Sequence, residues 1–128
     1  MNLPRVPPIV SPPIRLAMCV SGGGTTLQNL LDRIRAGRLS AEVVQVIAGR
    51  PGIAAIGKAE AAGVPITVVE RKGRPVPAFS TDVFEPIRQQ RADLVILGGF
   101  LSLIVIPEDY VGRVLNIHPS LTGRQPAD

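Results

Sequence analysis

The chain has no tryptophan, one tyrosine and three phenylalanines, so it offers little flat surface on which unpaired bases could stack, as a single-strand binder needs. Its one cysteine, Cys19, cannot form an internal disulfide. Lying in an apolar run, it reads as a packed thiol in a reducing compartment. No apolar stretch approaches the roughly 20 residues that span a bilayer, and residues 1–13 hold five prolines in place of a secretory apolar segment. A cytoplasmic protein without membrane or nucleic-acid partners is therefore expected. The net charge of +4 is scattered rather than gathered in a block, which suits small anionic ligands better than a nucleic-acid backbone. Several arginines also fall near expected helix C-termini, where they complement the backbone dipole.

What is present is an alternation of short apolar runs and helical periods within 128 residues, 45% of them hydrophobic, enough for one domain with a modest core. A proline-rich tail is expected at 1–13, the domain at 14–121 and a divergent tail at 122–128. Residues 15–20 read as a buried strand, followed by Ser21-Gly22-Gly23-Gly24-Thr25-Thr26 and a helical pattern at Leu27, Leu30, Leu31 and Ile34 that Gly37 stops. Thr25 with Gln28 three residues later has the form of a capping box. Then come a strand at 42–48, a helix at 53–62, a strand at 66–69, and a loop at 71–78 in which Gly73, Pro75 and Pro77 argue against regular structure. A helix at 82–90, with Pro86 in its first turn, precedes a strand at 93–97, the break Gly98-Gly99, an irregular apolar segment at 101–106, a short turn or helix at 107–111 and a last strand at 113–118. Such alternation predicts an α/β Rossmann-like fold, a mostly parallel sheet with helices on both faces.

Three motifs carry chemistry. The glycine turn brings backbone N–H groups to a helix N-terminus, as a phosphate site requires. A plain tight turn uses glycine equally well. Leu27 occupies the third glycine position of the dinucleotide fingerprint, and no Gly-Lys-Ser/Thr follows, so neither a dinucleotide site nor a P-loop is implied. The segment from Leu101 to Ile104 is either a buried connection or one wall of a pocket for a flat apolar ligand. Asn116 and His118, the only histidine, share one face of a strand while Leu115 and Ile117 turn to the other. At a strand's carboxyl end this sets a neutral hydrogen-bond donor beside a group that titrates near neutrality, equipment for acyl-type chemistry unless His118 is a structural histidine.

Val20 to Gln28, Ala92 to Phe100 and Gly112 to Leu121, which contains Asn116-Ile117-His118-Pro119-Ser120, together resemble the folate-dependent glycinamide ribonucleotide formyltransferases of purine synthesis in order and spacing. The resemblance implies formyl transfer from 10-formyltetrahydrofolate to the amine of 5-phosphoribosylglycinamide, with no metal. It assigns Asn116 to the developing oxyanion and His118 to proton handling as the folate nitrogen departs. Gly24, Thr25 and Thr26 map onto the positions that hold the substrate phosphate. Leu101, Ser102, Leu103 and Ile104, with Asn116, map onto the folate site. Thr26 replaces an asparagine found in many members, and Thr81 falls about where some use an arginine near the folate. The family aspartate that partners the histidine falls beyond residue 128. The chain is therefore expected to be an N-terminal portion of the enzyme, inactive alone and prone to self-association through an apolar sheet edge at 113–118. The alternatives are a catalytically silent phosphate- and folate-binding remnant and a formyltetrahydrofolate deformylase-type hydrolase. Deformylases carry a second histidine where this chain has Pro119.

Overall fold

The computed structural model describes residues 13–100 and 102–117. The proline-rich segment up to residue 12, Leu101, His118 and the 122–128 tail lie outside them. The elements run β1 (Ile14–Val20), α1 (Thr25–Arg35), β2 (Ala41–Ala48), α2 (Ala54–Ala61), β3 (Ile66–Val68), α3 (Val76–Gln89), β4 (Leu94–Gly98), a 3-10 turn (Glu108–Tyr110) and β5 (Val114–Ile117). The five strands form one sheet in the order β3-β2-β1-β4-β5, and every pairing is parallel. β1, the central strand, is buried along most of its length, as an apolar run covered on both faces should be.

The chain steps from β1 outward to β3, then crosses back to β4. With right-handed crossovers that reversal places the connecting helices on opposite faces. One core cluster packs Met18, Val20, Leu27, Val46, Ala55 and Ala59 under α1 and α2. The other packs Ala17, Cys19, Ile47, Phe79, Val83, Phe84 and Ile87 under α3. The alternation of neighbours such as Met18 and Cys19 between the two clusters is the strand period made visible. Burial pushes the Cys19 thiol up to about 12, which makes it an unreactive packing group. Among the described residues no helix is long and apolar enough to cross a membrane.

Two sequence expectations are corrected. The capping box does not form: the N-cap of α1 is Gly24, no side chain caps the helix, and the Gln28 amide instead donates to Asp32 at 2.9 Å. Nor is 71–78 all loop, since α3 starts at Val76, six residues before the predicted start. Pro75 is its N-cap and Pro77 lies in the first turn, where a missing N–H costs nothing and a fixed φ favours the helix. The Phe79 N–H closes the first bond on the Pro75 carbonyl at 3.0 Å. Pro86 therefore sits inside a continuous helix, and Asp82, one turn earlier, is on the exposed side.

The 3-10 turn is tied to α3 by the Arg88 guanidinium, which donates to both carboxylate oxygens of Asp109 at 2.8 and 3.0 Å. Those bonds hold the Asp109 carboxyl below its ordinary range. A carboxyl lowered on folding stabilises above its unfolded value, near 4, and that stabilisation is lost as pH falls through the folded value. Both side chains are substantially exposed, so Asp109→Asn should cost no more than about 1 kcal/mol at neutral pH. In urea unfolding the difference should shrink as pH falls below about 4; a difference that grows on acidification would contradict this account.

Candidate functional site

The sheet order reverses between β1 and β4, and ligands of open α/β sheets sit beyond the carboxyl ends of the strands at such a point. The glycine turn follows β1 and the Gly98-Gly99 break ends β4, so the sequence motifs meet there. Gly98 is what lets them close. A Cβ built on it would lie 3.0 Å from Met18 Cε and 3.4 Å from Thr26 Cβ, so its bare backbone admits the start of α1. On the other side of the crevice, a Cβ on Gly49 at the end of β2 would lie 3.1 Å from Ser21 Oγ and 3.4 Å from the Phe100 ring. Close backbone approaches thus bring the carboxyl ends of β1, β2 and β4 together.

Asn116 lies in β5, in register with Leu97 of β4, and Gly98 pairs with Ile117. Val114 packs on the α3-side core and Ile117 on the opposite one, so Asn116, two residues after Val114, takes the α3 face. It is exposed, free to offer its amide to a ligand. His118, its intended partner, lies outside the described residues.

Thr25 is the first residue of α1 and exposed, while Thr26 is half-buried against Gly98. Gly24 has φ 78, and a Cβ there would meet Ala55 Cβ at 2.8 Å. Its glycine character serves the approach of α2 as well as any ligand.

Residues 102–106 form an irregular wall. Leu103 is 73% exposed, Ser102 is half-buried, and Ile104 packs against the α3-side core. The wall is pinned to α3 twice: Phe100 stacks on Phe79 with ring centroids 6.2 Å apart, and the Val105 N–H donates to the buried Ser80 hydroxyl at 2.7 Å. Between wall and helix lies a cavity of about 210 Å³ bordered by Pro77, Thr81, Phe84, Arg88, Val105 and Pro107. Ser80→Ala would strand the Val105 N–H, so it should lower stability by roughly 1–2 kcal/mol and speed amide exchange in the wall. Unchanged exchange at Val105 would show that the hydroxyl does not hold it.

Three polar side chains that sequence reasoning passed over also belong here. Ser80 grips the wall, Arg50 donates to the Ser21 carbonyl at 2.9 Å, and the Lys58 ammonium donates to the Gly23 carbonyl at 2.7 Å. Their partners are 25, 29 and 35 residues away, and no local pattern signals them.

The comparisons with known proteins agree with this fold. The family model described as formyl transferase matches residues 14–126. The chain belongs to the formyl transferase family. It is 35% identical over 119 residues to the trifunctional purine biosynthetic protein adenosine-3 of Drosophila melanogaster, covering 88% of this chain and 9% of that protein. To the phosphoribosylglycinamide formyltransferase of Haemophilus influenzae it is 30% identical over 110 residues, 84% of this chain and 52% of that enzyme. The chain thus spans about half the length of that enzyme. Among solved structures, glycinamide ribonucleotide transformylase 1 from Geobacillus kaustophilus superposes with a TM-score of 0.75 at 33% identity, covering 90% of this chain and 63% of that one. A formyltetrahydrofolate deformylase from Pseudomonas putida follows the same fold, with a TM-score of 0.69, 27% identity and coverage of 88% and 40%. The Rossmann-like formyltransferase fold expected from the sequence is the fold observed.

Proposed function

We propose that these residues serve phosphoribosylglycinamide formyl transfer, in which 10-formyltetrahydrofolate supplies the formyl group and the amine of 5-phosphoribosylglycinamide receives it. The observation that carries the reading is the convergence, at the sheet's reversal point, of the glycine turn, the β4 terminus and the exposed Asn116. The backbone N–H groups of Gly24, Thr25 and Thr26 take the ribose phosphate, favoured there by the positive end of α1. Ser102, Leu103 and Ile104 form the wall against which the flat pterin lies, and the family resemblance assigns Leu101 to the same site.

Asn116 donates its amide N–H to the formyl oxygen, which gains negative charge as the amine adds to the carbon. A hydrogen bond to that oxygen strengthens as the charge builds. His118 exchanges the proton that must leave the attacking amine and reach the departing nitrogen, work suited to a group titrating near neutrality.

The test follows release of tetrahydrofolate from 10-formyltetrahydrofolate with and without 5-phosphoribosylglycinamide. Release that requires the amine, with formyl recovered on it, supports the proposal. Amine-independent release as formate would replace it with the hydrolase. Binding of both compounds with no release, in the chain and in a hybrid completed with the second half of a relative, would replace it with the silent remnant.

A further inference from the structure

The three carbonyls of the Ser21-Gly22-Gly23 turn are all claimed by one stretch of chain, residues 50–58. Ser21 O accepts from Arg50 Nη2 at 2.9 Å, Gly22 O from the Ala55 N–H at 3.4 Å, and Gly23 O from Lys58 Nζ at 2.7 Å. In a planar trans peptide the N–H points opposite the C=O. Drawing these carbonyls toward residues 50–58 therefore turns the N–H groups of Gly22, Gly23 and Gly24 the other way. Among the described residues no acceptor meets those N–H groups.

Charge adds to geometry. Arg15, Arg35, Lys72, Arg74 and Arg88 each have a carboxylate partner. Arg50 and Lys58 have none within 4 Å among the described residues, a condition they share with Arg33, Arg38, Arg71, Arg91 and Arg113; what sets these two apart is that both donate to carbonyls of the turn and so place their charge beside it. Each also keeps donors beyond the one it spends on a carbonyl.

We propose that Arg50 and Lys58 are positioning residues for the ribonucleotide's phosphate: they fix the turn through its carbonyls and add positive potential that selects a phosphorylated ligand over its dephosphorylated form. The proposal rests on the reading of the turn given under Proposed function. Neither residue is required to touch the phosphate.

Titration calorimetry of the chain with 5-phosphoribosylglycinamide and with its dephosphorylated riboside tests this, using Arg50→Gln, Lys58→Met and the charge-conserving Arg50→Lys and Lys58→Arg. Each neutral variant should bind the phosphorylated ligand about tenfold more weakly, the scale of one charge-assisted hydrogen bond. The conservative variants should restore most of the affinity, and the riboside should bind all five proteins alike. Inorganic phosphate should compete less effectively against the neutral variants. If the wild-type chain binds the ribonucleotide and the neutral variants match it, the proposal is wrong while the phosphate turn stands. Equal weakening toward both ligands would reduce the two residues to fold support and also overturn it. If the wild-type chain binds neither ribonucleotide nor phosphate, the turn is no phosphate site and both readings fall. Thermal unfolding of each variant identifies any loss that comes from misfolding, and the conservative pair then decides.

Discussion

Asn116→Ala is expected to lower formyl transfer about a hundredfold or more, the scale of removing one preorganised oxyanion donor, while leaving stability nearly unchanged. The second half of that expectation comes from its place in β5: Asn116 is exposed, and the strand's buried contacts are made by Val114 and Ile117. The loss should fall on kcat and on kcat/KM together, because the bond strengthens only as charge builds on the formyl oxygen. His118→Ala should be comparably damaging. If both residues serve one addition step, the double variant should be much less than additive. The rates are to be measured with saturating 5-phosphoribosylglycinamide, in the chain and in a hybrid carrying the second half of a relative. A fall confined to KM would make Asn116 a binding contact and remove it from the oxyanion.

Much of the scaffold was readable from the sequence because the sheet is parallel and covered on both faces. Strands such as β1 and β4 then announce themselves as mostly apolar runs that end at glycine. The glycine turn and the Asn116 strand end were found for the same reason, since strand ends are where the pattern breaks. The errors have separate causes. Thr25 and Gln28 have the chemistry of a capping box, but α2 packs so closely on Gly24 that the cap falls one residue earlier, on a residue with no side chain. Pro75 and Pro77 read as helix breakers, yet a first helical turn tolerates both. Arg50, Lys58 and Ser80 were invisible because their partners are set by how strands and helices stack, far along the chain.

Gly24→Ala is expected to destabilise the fold by about 3 kcal/mol, whereas Gly23→Ala, one residue earlier, should stay within about 1 kcal/mol. The two glycines look equivalent in sequence, but their surroundings differ. At Gly24 φ is 78, a conformation that costs a residue with a Cβ roughly 1–2 kcal/mol. The new methyl would also lie 2.8 Å from Ala55 Cβ and 3.0 Å from its Cα. Backbone cannot yield as a flexible side chain would, and overpacking of this kind adds roughly 1–3 kcal/mol. At Gly23 a Cβ would meet nothing within 4 Å. Urea unfolding of the two variants separates packing from ligand binding: Gly23→Ala should keep the fold and lose affinity for the ribonucleotide, because its methyl stands beside N–H groups proposed to face the phosphate. A cycle with Ala55→Gly provides the check on mechanism. Removing the Ala55 methyl relieves the closest contact but not the backbone strain, so the pair should show a favourable coupling that recovers part of the loss. Equal stability of Gly24→Ala and Gly23→Ala would mean that α2 yields at this contact and that the close approach is no constraint on the turn.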